Sequence, residues 1–289
     1  MIAVIGFKII DSNFADPLLY RHPIASMRQE RGQNPLWIKD EYKLLNVRNN
    51  RNTIRTMKQD LYITDILNNK NTIIMPETTL LPMSRNIETG KILLLDWYSK
   101  SRSLYELDIR KNKMNLITNK VYGVAVSRYG DVAVAMRHNN ATNIALIDPR
   151  TKHLTWLTDY TSKNESVFYR HPFAWMSNGY NLIYSVNQPT RKNPNNAPIM
   201  LNKDTKKCII LEDLSSITAF DCNPIDDRVA YAKNDDIYII DMETGIKQRI
   251  ARNYTRNGFR SISWSTDGKL IAYDSIDGGI WIVPAKKYK

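Results

Sequence analysis

Four stretches of the chain repeat one pattern. An apolar residue, usually an aromatic or small one, any residue and an apolar residue lead to Asp, and a polar turn and a second apolar run follow. The copies read LYITDILNNKNTIIM from Leu61, LYELDIRKNKMNLIT from Leu104, IALIDPRTKHLTWLT from Ile144 and IYIIDMETGIKQRIA from Ile237, with a weaker one, PIMLNKDTKKCIIL, from Pro198. Alternating β-branched and aromatic residues around Asp, Asn, Gly and Lys predict a two-stranded hairpin in each. The repeated Asp65, Asp108, Asp148 and Asp241 sit at strand ends, where a carboxylate bonds the backbone two residues on. They read as turn residues rather than a catalytic ring.

Upstream of most copies lies a second hairpin, clearest as WSTDGKLIAYDS from Trp264 and WMSNGYNLIYSV from Trp175. Asp-Gly or Asn-Gly supplies the positive φ of a tight turn. Val126, Gly130 and Ala135 keep the offsets of Trp264, Gly268 and Tyr273, and Asn86, Gly90 and Leu95 complete the set; Cys222 and Tyr231 keep the outer offset, with Asp226 in place of Gly. Two hairpins make a four-stranded unit, and units of about 40 to 50 residues of this kind form propeller blades. The fold class predicted is all-β: a single six-bladed β-propeller of four-stranded antiparallel blades in one domain, 1–289, with blades near 20–76, 80–118, 121–158, 169–211, 217–250 and 258–284. The last blade is one strand short, and the N-terminal strand at 2–10, IAVIGFKII, is expected to complete it and close the ring. Closure removes two sheet edges.

The run WSTDGKLIAY at Trp264 to Tyr273, with its echo at Trp175 to Tyr184, resembles the repeats of TolB-like six-bladed propellers. The resemblance implies fold, and fold does not imply function. Members of that family include a periplasmic protein of the cell-envelope translocation system and the propeller domains of prolyl-oligopeptidase-like enzymes. Neither the small α/β domain and signal of the first nor the hydrolase domain of the second is expected here.

YRHPIAS from Tyr20 returns as YRHPFAW from Tyr169. In this register both copies lead into innermost strands, those of the first and fourth blades, which face each other across a six-fold ring. Tyr20, Arg21, His22, Tyr169, Arg170 and His171 are therefore candidate channel-mouth residues, a cationic site for an anion or an acidic peptide. Stiffening of a loop by Pro23 and Pro172, with the charges solvated, accounts for the same residues. Two histidines without an acidic partner give no closed ligand set, so no metal and no cofactor are expected.

The formal charge is +12, from 41 Lys and Arg against 29 Asp and Glu, which attracts phosphate, acidic proteins or anionic lipid and equally keeps a protein soluble. Two basic segments concentrate it. EYKLLNVRNNRNTIRTMKQD, an extra stretch read as a short helix or protruding hairpin, carries Lys43, Arg48, Arg51, Arg55 and Lys58. KQRIARNYTRNGFR carries Lys247, Arg249, Arg252, Arg256 and Arg260, with Tyr254 and Phe259 interleaved. Joined across the closed ring, they would form a basic patch suited to nucleic acid. A Pro- and Asn-rich stretch at Asn187 to Pro198 reads as a protruding loop.

No Gly-x-Ser-x-Gly elbow or phosphate-cradling loop is present, which removes the usual equipment of acyl transfer and nucleotide hydrolysis. Cys208 and Cys222 are too few for a disulfide framework or paired zinc spacing. No apolar run reaches membrane-spanning length and the first residues lack a secretory pattern, so a cytoplasmic or virion-associated location is expected, without membrane insertion. The residues support a non-enzymatic binding platform or structural subunit whose partners are other protein subunits. The alternatives are a nucleic-acid-associated protein using the basic patch, a virion or phage-tail component, and an enzyme with a channel-mouth site.

Overall fold

The computed structural model describes residues 22–23, 32–39, 42–49, 58–68, 70–162, 167, 173–186, 197–234, 236–252, 259–275 and 280–285. They begin with β1 (His22–Pro23). Blade one holds β2 (Gly32–Trp37), β3 (Lys43–Asn49), β4 (Gln59–Asp65) and β5 (Lys70–Thr78), and blade two holds β6 (Leu80–Arg85), β7 (Ile92–Asp96), β8 (Leu104–Asp108) and β9 (Lys113–Thr118). Blade three holds β10 (Val121–Val126), β11 (Val132–His138), β12 (Ala141–Ile147) and β13 (Leu154–Trp156). Blade four holds β14 (Ala174–Trp175), β15 (Asn181–Tyr184), β16 (Ile199–Asn202) and β17 (Cys208–Ile210). Blade five holds β18 (Ala219–Cys222), β19 (Arg228–Lys233), β20 (Asp236–Asp241) and β21 (Lys247–Arg252). Blade six holds β22 (Phe259–Trp264), β23 (Leu270–Ser275) and β24 (Ile280–Pro284), with β1 paired to β24 as its outer strand.

These are six four-stranded antiparallel sheets, each with its first strand innermost. The inner strands β2, β6, β10, β14, β18 and β22 touch one another in turn and form the wall of a central channel. Because every blade is covered on both faces, its middle strands are buried on both, as in Ile92–Asp96 and Arg228–Lys233. The core is correspondingly divided among the seams between blades. One buried cluster joins blades one and two, another two and three, then three and four, four and five, five and six. Trp37, Leu44 and Ile66 meet Ala272 and Ile280 where blade six returns to blade one.

Turn chemistry matches the repeat. The carboxylates of Asp65, Asp108, Asp148 and Asp241 accept backbone N–H bonds from Asn68, Lys111, Arg150 and Glu243, at 2.7 to 3.2 Å. Asn202 does the same for Asp204 in the weaker copy, at 3.2 Å. The Asn68 side-chain amide, followed by its backbone N–H, holds the Asp65 carboxyl below the usual range, and the backbone N–H groups of Arg150 and Thr151 do so for Asp148.

Several expectations need correction. Blade one begins at Gly32, not near residue 20, and its inner strand ends at Trp37. His22 and Pro23 instead pair with Ile282 and Trp281 on the outer edge of blade six, so a segment preceding blade one does complete the last blade. The N-terminal strand expected at 2–10 lies outside the described residues. Residues 43–49, expected in a helix or protruding hairpin, are the second strand of blade one. Continuous burial from Leu44 to Arg48 and antiparallel pairing with β4 decide this. The loop expected at 187–198 falls outside the described residues apart from Ala197 and Pro198.

Candidate functional site

The last residues of the inner strands are Trp37, Arg85, Val126, Trp175, Cys222 and Trp264, and they bind each blade to the one before it. The indole N–H of Trp37 donates to the carbonyl of Ser263 at 3.0 Å, that of Trp175 to Ala125 at 3.2 Å and that of Trp264 to Asp221 at 3.0 Å. The Cys222 thiol makes the same bond to Ala174 at 3.8 Å. Each acceptor is the penultimate residue of the preceding inner strand. Where that residue has a polar side chain, it takes the next backbone N–H as well. Ser84 accepts from Val126 at 2.9 Å, Asp221 from Trp264 at 2.8 Å and Ser263 from Trp37 at 3.3 Å.

Arg85 departs from this scheme. From blade two its guanidinium reaches past blade one to blade six, where Nη1 donates to Ser263 Oγ at 3.3 Å and Nη2 to the carbonyl of Trp264 at 2.5 Å. Its Nε is buried without a partner. The side chain lines a cavity of about 340 Å³ to which all six inner strands contribute, within the range of small-molecule sites. Leu36, Met83, Phe173 and Phe220 supply apolar wall, and Ser263 and Asp221 supply polar groups. Burial pushes the Asp221 carboxyl up to about 6, opposed by Arg85 and by the amides of Trp264 and Cys222. Burial also lowers Arg85 to about 10 while Asp221 supports it, so the guanidinium is charged at neutral pH. Among the described residues, no group of three or more His, Cys, Asp or Glu is placed to hold a metal.

A second feature is the face built by the turns that join the first and second strands of the blades. At several seams one turn leans on the next. Lys39 Nζ donates to the carbonyl of Glu88 at 2.6 Å, Ser177 to Asp227 at 2.6 Å and Asn223 to the carbonyl of Gly268 at 3.4 Å. The ring of Tyr129 lies where a Cβ on Gly179 would come within 2.3 Å of it, and Gly179 also needs a φ of +69°. Around this face Tyr129 is 59% exposed, Tyr180 53%, Ile225 53% and Tyr42 41%. Arg128 stacks on Tyr129 at 5.4 Å, and Lys203 sits over Tyr180 at 5.4 Å while pairing with Asp131 at 2.6 Å.

Of the six residues expected at the channel mouth, only His22 is among the described residues. His22 is in the outer strand of blade six, far along the sheet order from inner strand β22. Tyr20, Arg21, Tyr169, Arg170 and His171 lie outside the described residues, as do Arg51, Arg55 and Arg256. The described part of the basic set is dispersed rather than joined: Lys43 and Arg48 are in the second strand of blade one, Lys247, Arg249 and Arg252 in the outer strand of blade five, and Arg260 in the inner strand of blade six. Blade six stands between the first two groups. Arg48 is buried, bonded to Asn71 at 2.7 Å and stacked on Tyr62 at 4.7 Å. Lys58 pairs with Glu77, Lys247 with Asp213 and Arg249 with Asp236. The sequence signal for the channel group was Arg85 itself, a charged residue ending the apolar run LLPMSR.

No family profile matches the sequence, and no curated protein matches it. Solved structures do. TolB from Acinetobacter baumannii is 14% identical with a TM-score of 0.62, over 90% of this chain and 65% of that one. A gluconolactonase from Xanthomonas campestris is 9% identical with a TM-score of 0.63, over 88% and 86%. The structure of a Nidogen/Laminin complex matches at 7% identity and a TM-score of 0.61, over 80% and 84%. The chain spans 65% of the TolB chain's length. At such identities the likeness is one of architecture, and what it shows is that this chain is a six-bladed β-propeller similar to TolB in fold.

Proposed function

We propose that the chain is a non-enzymatic binding platform, a subunit that docks a protein partner on the face built by the turns between first and second strands. The exposure of Tyr129, Tyr180 and Ile225 on neighbouring turns carries this reading. Large apolar groups clustered on a surface mark interaction sites, and rigid tyrosines make good anchors because they lose little conformational freedom on binding. The turns are braced by one another, so the anchors are held in place before a partner arrives. The likeness to a propeller solved in a Nidogen/Laminin complex supports a protein partner by analogy of fold.

The test is capture of partners by the tagged protein from its native source, at low and high salt and after nuclease. A variant carrying Tyr129→Ser, Tyr180→Ser and Ile225→Ser is run beside it. The expected result is a stoichiometric protein that survives salt and nuclease with the wild type and is lost with the folded variant. Capture unchanged by the three substitutions would overturn the reading, and recovery that collapses with nuclease would move the weight to nucleic acid.

A further inference from the structure

Arg85 holds the position at which three other blades place a tryptophan, and it does not make the tryptophan's bond. Its two terminal nitrogens are anchored on blade six. The Nε edge, one of the edges of a guanidinium that matches a carboxylate, is left without an acceptor. The residue is only 8% exposed, so this donor is desolvated, and a buried donor left unmade is costly. Anchoring of the terminal nitrogens fixes the guanidinium in advance of any ligand, which is what a preorganised anion site requires. The cavity it lines has apolar walls from Leu36, Met83, Phe173 and Phe220.

We propose that the central channel binds a monocarboxylate with an apolar body, its carboxylate beside the guanidinium of Arg85 and its body against Met83 and Phe173. A single charge fits better than phosphate, because Asp221 shares the same cavity and its charge opposes a second negative one. This site is separate from the docking face, and either can fail without the other. The carboxylate has two sources, a free acid or the C-terminus of a peptide, and the chemistry recognised is the same.

The test is calorimetric titration of the purified full chain at pH 8 with benzoate, hexanoate, benzamide, inorganic phosphate, and a short peptide ending in phenylalanine as free acid and as amide. Benzoate, hexanoate or the free-acid peptide is expected to bind at least about tenfold more tightly than its amide or phosphate. Which acid binds identifies the source. Arg85→Gln is expected to weaken binding about tenfold or more. Arg85→Lys, which keeps the charge without the guanidinium, weakens it in the same direction, and Asp221→Asn strengthens it severalfold. Thermal unfolding of each variant verifies its fold. If Arg85→Gln does not fold, Arg85→Lys and Asp221→Asn decide. Failure of all three acids to bind the wild type, equal binding of acid and amide, or binding indifferent to these substitutions would overturn the proposal.

Discussion

Asp221 carries opposite demands at the scale of one side chain. Its carbonyl and carboxylate both hold Trp264, while burial raises its carboxyl from 3.8 to about 6. An acid whose folded value is raised contributes stability that is full below the unfolded value and lost as pH rises through the folded one. Asp221→Asn keeps an acceptor oxygen without the charge. Its urea midpoint is therefore expected to exceed the wild type's at pH 8 and to match it near pH 3.5. A variant less stable than wild type at pH 8 would contradict the sign. Gly179 shows a different constraint, positive φ together with the Tyr129 ring in the space of a side chain. Gly179→Ala is expected to cost about 1 to 3 kcal/mol in denaturant unfolding, and less in a Tyr129→Ala background. Equal costs in both backgrounds would show that only the backbone matters.

Elements differ in how much of them the sequence discloses. Hairpins with Gly179 or Gly268 were legible because a tight turn writes its demand locally, and the Asp of the outer hairpins likewise. Blade one was misplaced because its first turn, Ile38 to Lys43, contains Asp and Glu and no Gly. The match of Trp37 to Trp175 and Trp264 was the signal that would have found it. What holds strand to strand across a seam was not legible at all, since the acceptor is a backbone carbonyl on another blade. The channel site was hidden for the same reason: Arg85 and Ser263 are 178 residues apart. The seam bonds predict that Trp264→Phe, which keeps the ring and deletes the donor, loses about 1 to 3 kcal/mol by leaving the Asp221 carbonyl unpaired. A loss within error of zero in urea unfolding would mean the indole packs without bonding.

For the molecule as a whole the ring topology decides which residues meet. The repeated Tyr-Arg-His-Pro motif suggested opposite walls of a channel, but β1 lies on the rim of blade six. The second copy lies outside the described residues. Closure rests on blade six and blade one, where Trp37 meets Ser263 across 226 positions of sequence, Asn34 donates its backbone N–H to Asp274 at 3.2 Å, and Trp37 and Leu44 pack near Ala272 and Ile280. A chain with so many long-range pairings gains this seam only when the rest is folded. The most direct test of the closed ring is native-state hydrogen exchange at the indole N–H of Trp37, read beside those of Trp175 and Trp264. Closure predicts that all three exchange through global unfolding, with rates within about tenfold of one another. Exchange at Trp37 faster by about a hundredfold or more, with the other two protected, would mean that the ring is open between its first and last blades.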